Sequence, residues 1–112
     1  MQVQEVADAD DLYRRIHPSQ VKDGKLTSAA FRDLQLSVDL ARLTTPQRSL
    51  SRHPSHGLAS ITALVARSLG QEVIHNPLNI NPAHALVIGN KSLATARSLA
   101  RSATWVLLPP GN

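Results

Sequence analysis

The sequence predicts a small α+β fold, a mixed or antiparallel sheet with two main helices, in a single domain over residues 1–112. Three observations lead there. A chain of 112 residues suits one domain, because at this size roughly two-thirds of the unfolded surface is buried on folding. Short alternating apolar runs bounded by Pro, Gly and Asn recur along the chain, as strands do. Two longer stretches repeat apolar residues at helical spacing. With only one Phe, one Trp and one Tyr, the core must be Leu, Ile, Val and Ala.

Taken in order, residues 1–11 form an acidic N-terminal segment that lacks the basic and then apolar order of a signal peptide. Leu12, Arg14 and Ile16 alternate with Tyr13, Arg15 and His17, a strand that Pro18 stops. Asp23-Gly24 signals a hairpin turn. Thr27 or Ser28 caps a short helix in TSAAFRDL. Leu36, Val38 and Leu40 share one side of a strand, a spacing equally open to helix continuation. Thr45 before Pro46 predicts a cap and a short helix to about Arg52. Beyond Pro54, Ser55 or a neighbour caps the first main helix, which carries Leu58, Ile61, Leu64, Val65 and Leu69 and ends at Gly70. EVIH and HALVIG read as antiparallel strands joined by a wide loop, 76–82. Residues 91–103 form the second main helix, with Leu93, Ala96, Leu99, Ala100 and Ala103 inward. TWVLL closes the sheet before a short tail, 109–112.

Composition excludes several functions. The absence of cysteine removes disulfide frameworks, thiolate metal sites and thiol nucleophiles, and fits a cytoplasmic setting. No apolar run approaches the roughly 20 residues that span a bilayer, so no membrane partner is expected. Aromatic scarcity argues against base-stacking platforms. The net charge of +4 is divided unevenly along the chain. Residues 1–39 hold seven acids and five bases, whereas residues 40–112 hold Glu72 alone against seven bases. A basic second half suits an acidic partner: nucleic acid, an acidic protein surface or a phosphorylated ligand.

The stretch HALVIGNKS has the strand, glycine, helix order of a phosphate loop but only one glycine, separated from Lys91 by Asn90, so it fits neither nucleotide pattern. It keeps the anion affinity of a helix N-terminus, with Lys91 and Ser92 nearby, and Ser92 or Asn90 caps the helix that follows. Arg97 and Arg101 share a helix face four residues apart, and Arg67 on the other main helix can extend it. Arg67, Lys91, Ser92, Arg97 and Arg101 are therefore the candidate anion or partner-binding residues. His53 and His56 flank a turn but lack the further ligands of a zinc site, and no metal is expected. His75 and His84, on neighbouring strands, are the candidates for acid and base. No serine lies in a nucleophile elbow.

The ordered stretches LYRRIHP, DGKLTSAAF, LSVDLARL, HGLAS, NPAHALVIGNK and LARSATWV resemble a group of small bacterial proteins with no assigned activity, over about residues 12 to 107. The resemblance implies a bacterial intracellular domain and transfers no catalytic residue. The reading is a non-catalytic binding or accessory protein without a cofactor, monomeric or homodimeric. It would engage a larger bacterial protein through the Arg-bearing helix face and loop 76–82. The alternatives are nucleic-acid binding by the basic C-terminal half, or a small His-dependent phosphodiesterase or nuclease.

Overall fold

A computed structural model describes residues 2–111; Met1 and Asn112, the outer ends of the acidic segment and of the tail, lie outside the described residues. Alternation at the start of the chain becomes strand β1 (Asp11–Ile16), with Leu12 and Ile16 fully buried and Tyr13 and Arg15 on the opposite face. A 3-10 turn (Pro18–Gln20) leads to a hairpin of β2 (Val21–Lys22) and β3 (Lys25–Leu26). Its corner residues Asp23 and Gly24 both have positive φ, 52° and 75°, as a type I′ turn requires. After a second 3-10 turn (Ser28–Phe31), β4 (Gln35–Leu40) buries Leu36, Val38 and Leu40. A third (Ala41–Leu43) precedes α1 (Pro46–Leu50), where the Thr45 hydroxyl accepts from the Arg48 amide at 3.2 Å. The chain is completed by β5 (Gly57–Thr62), α2 (Ala63–Ser68), β6 (Glu72–His75), β7 (His84–Ile88), α3 (Leu93–Ser102) and β8 (Thr104–Leu107).

Six of these strands form one sheet in the order β6-β7-β4-β1-β5-β8, with every neighbouring pair antiparallel. Since β4 and β5 both oppose β1, they run parallel to each other, and their connection must cross β1 instead of forming a hairpin. That connection carries α1 against β1 and β5. The connections through α2 and α3 cross the inner face, which is also covered by the 28–31 turn. There Leu12, Ile16, Leu36, Val38, Leu40, Ile61, Val87 and Leu99 join one apolar cluster. Each such side chain contributes roughly 1.5–3 kcal/mol by leaving water. The helices meet the sheet through Ala63, Ala66, Ala96 and Ala100. Arg14 also points inward, where its guanidinium donates to the carbonyls of Ala30 and Ser37 at 3.0 Å each and lies 3.6 Å from Asp33.

The α+β class, the antiparallel sheet, the hairpin and the caps at Thr45 and Ser92 agree with the sequence reading. The first main helix does not. Residues 57–62 form a strand, and only Ala63–Ser68 are helical, capped by Thr62 instead of Ser55. The strand lies between β1 and β8 and is covered on both sides, so apolar residues occupy both of its parities and imitate a helical period. Six paired positions with β1 outweigh the local pattern. Leu93 is likewise exposed, because α3 meets the core only from Ala96 onward. No helix of the described residues is long and apolar enough to cross a membrane.

Near the end of the chain, Pro109 is buried against β5. A Cβ on Gly57 would lie 2.5 Å from Pro109 Cδ and 2.7 Å from the Leu107 carbonyl oxygen. Gly57→Ala is therefore expected to cost about 1–3 kcal/mol by overpacking. Urea unfolding measures this, and an unchanged midpoint would show that the chain end does not press on β5.

Candidate functional site

The outer face of the sheet bears a polar group where the inner face is apolar: Arg15 on β1, Ser37 and Asp39 on β4, and His84 on β7. Both α1 and the 76–82 loop reach over it, and between them lies a cleft of about 540 Å³. Asp39 anchors the arrangement and is 1% exposed. Its Oδ2 accepts from Arg15 Nη1 at 2.9 Å and from Ser49 Oγ at 2.7 Å, and its Oδ1 from Asn81 Nδ2 at 2.8 Å. Arg15 Nη1 also donates to the Ser49 carbonyl at 3.3 Å. A carboxylate out of water requires this degree of pairing, so the bonds hold β1, α1 and the loop together.

Beside Asp39, His84 Nδ1 lies 2.9 Å from the Asn76 carbonyl oxygen and Nε2 lies 3.2 Å from Ser37 Oγ. The carbonyl can only accept, which places the ring proton on Nδ1 and leaves the Nε2 lone pair facing the serine hydroxyl. Asn76 Nδ2 also lies near Nδ1, at 3.4 Å. Arg48, Arg52 and His53 line the cleft too, and neither arginine forms an ion pair among the described residues. His53 belongs to a chain of imidazoles, with ring centroids 5.0 Å from His56, which is 5.2 Å from His17. Burial, and then the Arg15 charge, lowers the His53 pKa against the pull of Asp39. Burial, and then His53 and His17, lowers that of His56. No group of three or more His, Asp or Glu among the described residues is arranged to hold a metal ion.

The residues singled out in the sequence are dispersed. Lys91 folds back and is 6% exposed, its Nζ donating to the carbonyls of Leu34 (3.2 Å), Val87 (3.0 Å) and Gly89 (3.0 Å). Burial lowers its pKa, Asp33 opposes this and Arg14 adds to it. The Ser92 hydroxyl caps α3 by accepting from the Thr95 amide at 3.1 Å. Arg67 binds the N-terminal segment, through Asp8 at 2.7 Å and the Val6 carbonyl at 2.6 Å. Arg97 and Arg101 remain exposed on α3, across the sheet from Asp39. His75 and His84 point to opposite faces, because His75 pairs with Ala85 and not with His84. Both ring nitrogens of His75 are used, Nδ1 accepting from the Gln4 amide at 2.9 Å and Nε2 lying 2.7 Å from the Pro82 carbonyl oxygen.

Arg15, Ser37, Asp39, Arg48, Ser49, Arg52 and Asn81 were not legible as a group. One signal was available: Asp39 is the only charge inside the apolar alternation of β4, where a carboxylate requires partners. No protein-family model matches the chain, and comparison with curated proteins and with solved structures likewise finds no match.

Removing the buried carboxylate leaves Arg15, Ser49 and Asn81 without their acceptor. Asp39→Ala is expected to cost about 3 kcal/mol or more in urea unfolding and to speed amide exchange in loop 76–82. A loss within the error of the measurement would mean that the three bonds do not hold the cover. The imidazole chain makes a separate prediction. The folded-state pKa values of His53 and His56 lie below the ordinary 6.5, so their contribution is present above that pH and lost as pH falls through the folded values. Between about pH 7.5 and about pH 5.5 the wild-type urea midpoint should fall. In His53→Asn/His56→Asn it should fall less; an equal fall would remove the two imidazoles as the cause.

Proposed function

We propose that the protein is a binding or accessory domain whose working surface is the outer-face cleft, and that it receives an acidic segment of a partner protein. The observation that carries this reading is the pair Arg48 and Arg52. Both are exposed at the cleft without a carboxylate partner, beside His53 and above a buried Arg15–Asp39 pair that is already neutralised. Leu78 and Ile80, exposed at 40% and 72%, flank the same cleft. Unpaired guanidinium groups next to exposed aliphatic side chains suit a segment that alternates carboxylates with apolar residues.

This keeps the 76–82 loop as a contact and moves the basic component from α3 to α1 and the residues after it. Arg97 and Arg101 lie on the far side of the sheet, where a ligand seated in the cleft does not reach them. Nucleic acid would draw on the same cations, but two unpaired arginines and no exposed aromatic row make a short phosphate-binding surface.

The test is selection from a random acidic peptide library, followed by titration of the best peptide. Arg48→Glu with Arg52→Glu should weaken binding at least tenfold, and Arg97→Glu with Arg101→Glu should leave it within about twofold. Retention that depends on the α3 pair, or no retained peptide, defeats the reading. Preferential binding of a single-stranded oligonucleotide that falls steeply with salt would replace it with the nucleic-acid alternative.

A further inference from the structure

Within the cleft the geometry points to an acyl-transferring serine: Ser37, activated by His84, acting on carboxylic esters that bear an anionic group. The choice of an anionic ester rests on the cleft reading above; the nucleophile does not. Ser37 is half-buried on β4 and lines the cavity, while His84 is 8% exposed and held by the β-sheet. The three elements of an activated nucleophile are in line: hydroxyl, imidazole at 3.2 Å, and a fixed acceptor for the far ring nitrogen at 2.9 Å. Here that acceptor is the Asn76 carbonyl, which fixes the tautomer as a carboxylate would and supplies less charge. A serine and a histidine bonded only to join two strands would need no opening to solvent, and both of these line a cleft.

In the reaction, Ser37 Oγ bonds to the acyl carbon as its proton passes to His84 Nε2. The carbon–oxygen bond to the alcohol then breaks, and Nε2 returns the proton to the departing alkoxide. Water, deprotonated in turn by Nε2, attacks the acyl-serine and restores the hydroxyl, so only ester and water are consumed.

The experiment treats the full chain with a fluorophosphonate, whose phosphorus–fluorine bond is broken by an activated serine hydroxyl with release of fluoride. The adduct is located by peptide mass mapping. One adduct at Ser37 is expected, in preference to Ser49 and Ser51 of the same cleft, absent in Ser37→Ala and formed about 100-fold more slowly in His84→Gln. Circular dichroism checks that each variant folds; His84→Asn replaces a variant that does not. An unlabelled Ser37, labelling spread over the cleft serines, or labelling of Ser37 that is indifferent to His84 overturns the proposal. Peptide retention by Arg48 and Arg52 is measured separately. A failed adduct with intact retention therefore rejects the nucleophile alone, and an adduct with failed retention rejects the anionic specificity alone.

Discussion

The arrangement of the outer face depends on one buried carboxylate. Asp39 lies in the middle of the sheet, where it would cost several kilocalories per mole if left unpaired. Its partners come from three places: Arg15 on the central strand, Ser49 on the helix that crosses it, and Asn81 in the loop between β6 and β7. Apolar burial on this face includes Leu58, which stands outside the main apolar cluster. The cleft is the space between two covers that meet at this carboxylate. A polar tie of this kind adds less stability than an apolar one, and it sets where each cover sits.

The same logic accounts for part of the uneven charge. Arg42 donates to Asp10 at 2.9 Å, to Gln4 and to the Glu5 carbonyl, and Arg67 donates to Asp8 and the Val6 carbonyl. With the Gln4 amide on His75, these bonds fasten the acidic N-terminal segment to the body. Lys91 is bound to three carbonyls. Of the seven bases after residue 39, only Arg48, Arg52, Arg97 and Arg101 make neither an ion pair nor a side-chain hydrogen bond among the described residues. Two arginines of the basic half, Arg42 and Arg67, thus pair with carboxylates of the acidic half. The residual charge stands at two places on opposite sides of the sheet.

Division of labour between the two faces explains how so small a chain carries a site. The inner face holds the apolar cluster, and alanines on α2 and α3 let the helices lie against it. This leaves the outer face of β1, β4 and β7 open to polar residues that add little to the core. Ser37 and His84 sit on the paired strands β4 and β7, whose positions are set by the core beneath them, and the Asn76 carbonyl at the start of the 76–82 loop holds the imidazole, so strand pairing and loop together set the 3.2 Å separation.

Local chemistry was legible wherever its cause lies within a few residues. The alternation of β1, the Asp23-Gly24 corner, the Thr45-Pro46 start and the Ser92 cap each act over one turn or one strand, and each is found where the sequence puts it. So was the mostly aliphatic core, which follows from having almost no aromatic residues, although the single Phe31 is fully buried in it beside the Leu, Ile, Val and Ala side chains. Residues 57–62 were misread because both faces of β5 are covered, and the pairing that makes them a strand comes from β1, more than 40 residues earlier in the chain. The site was illegible for the same reason: Asp39 meets partners 24, 10 and 42 residues away, and Ser37 meets His84 across 47. By itself the sequence determined which segments alternate, turn and cap, because those preferences are short-ranged. Only the tertiary structure decided which charges neutralise one another and which polar groups share a cleft, because strand order and register set those distances.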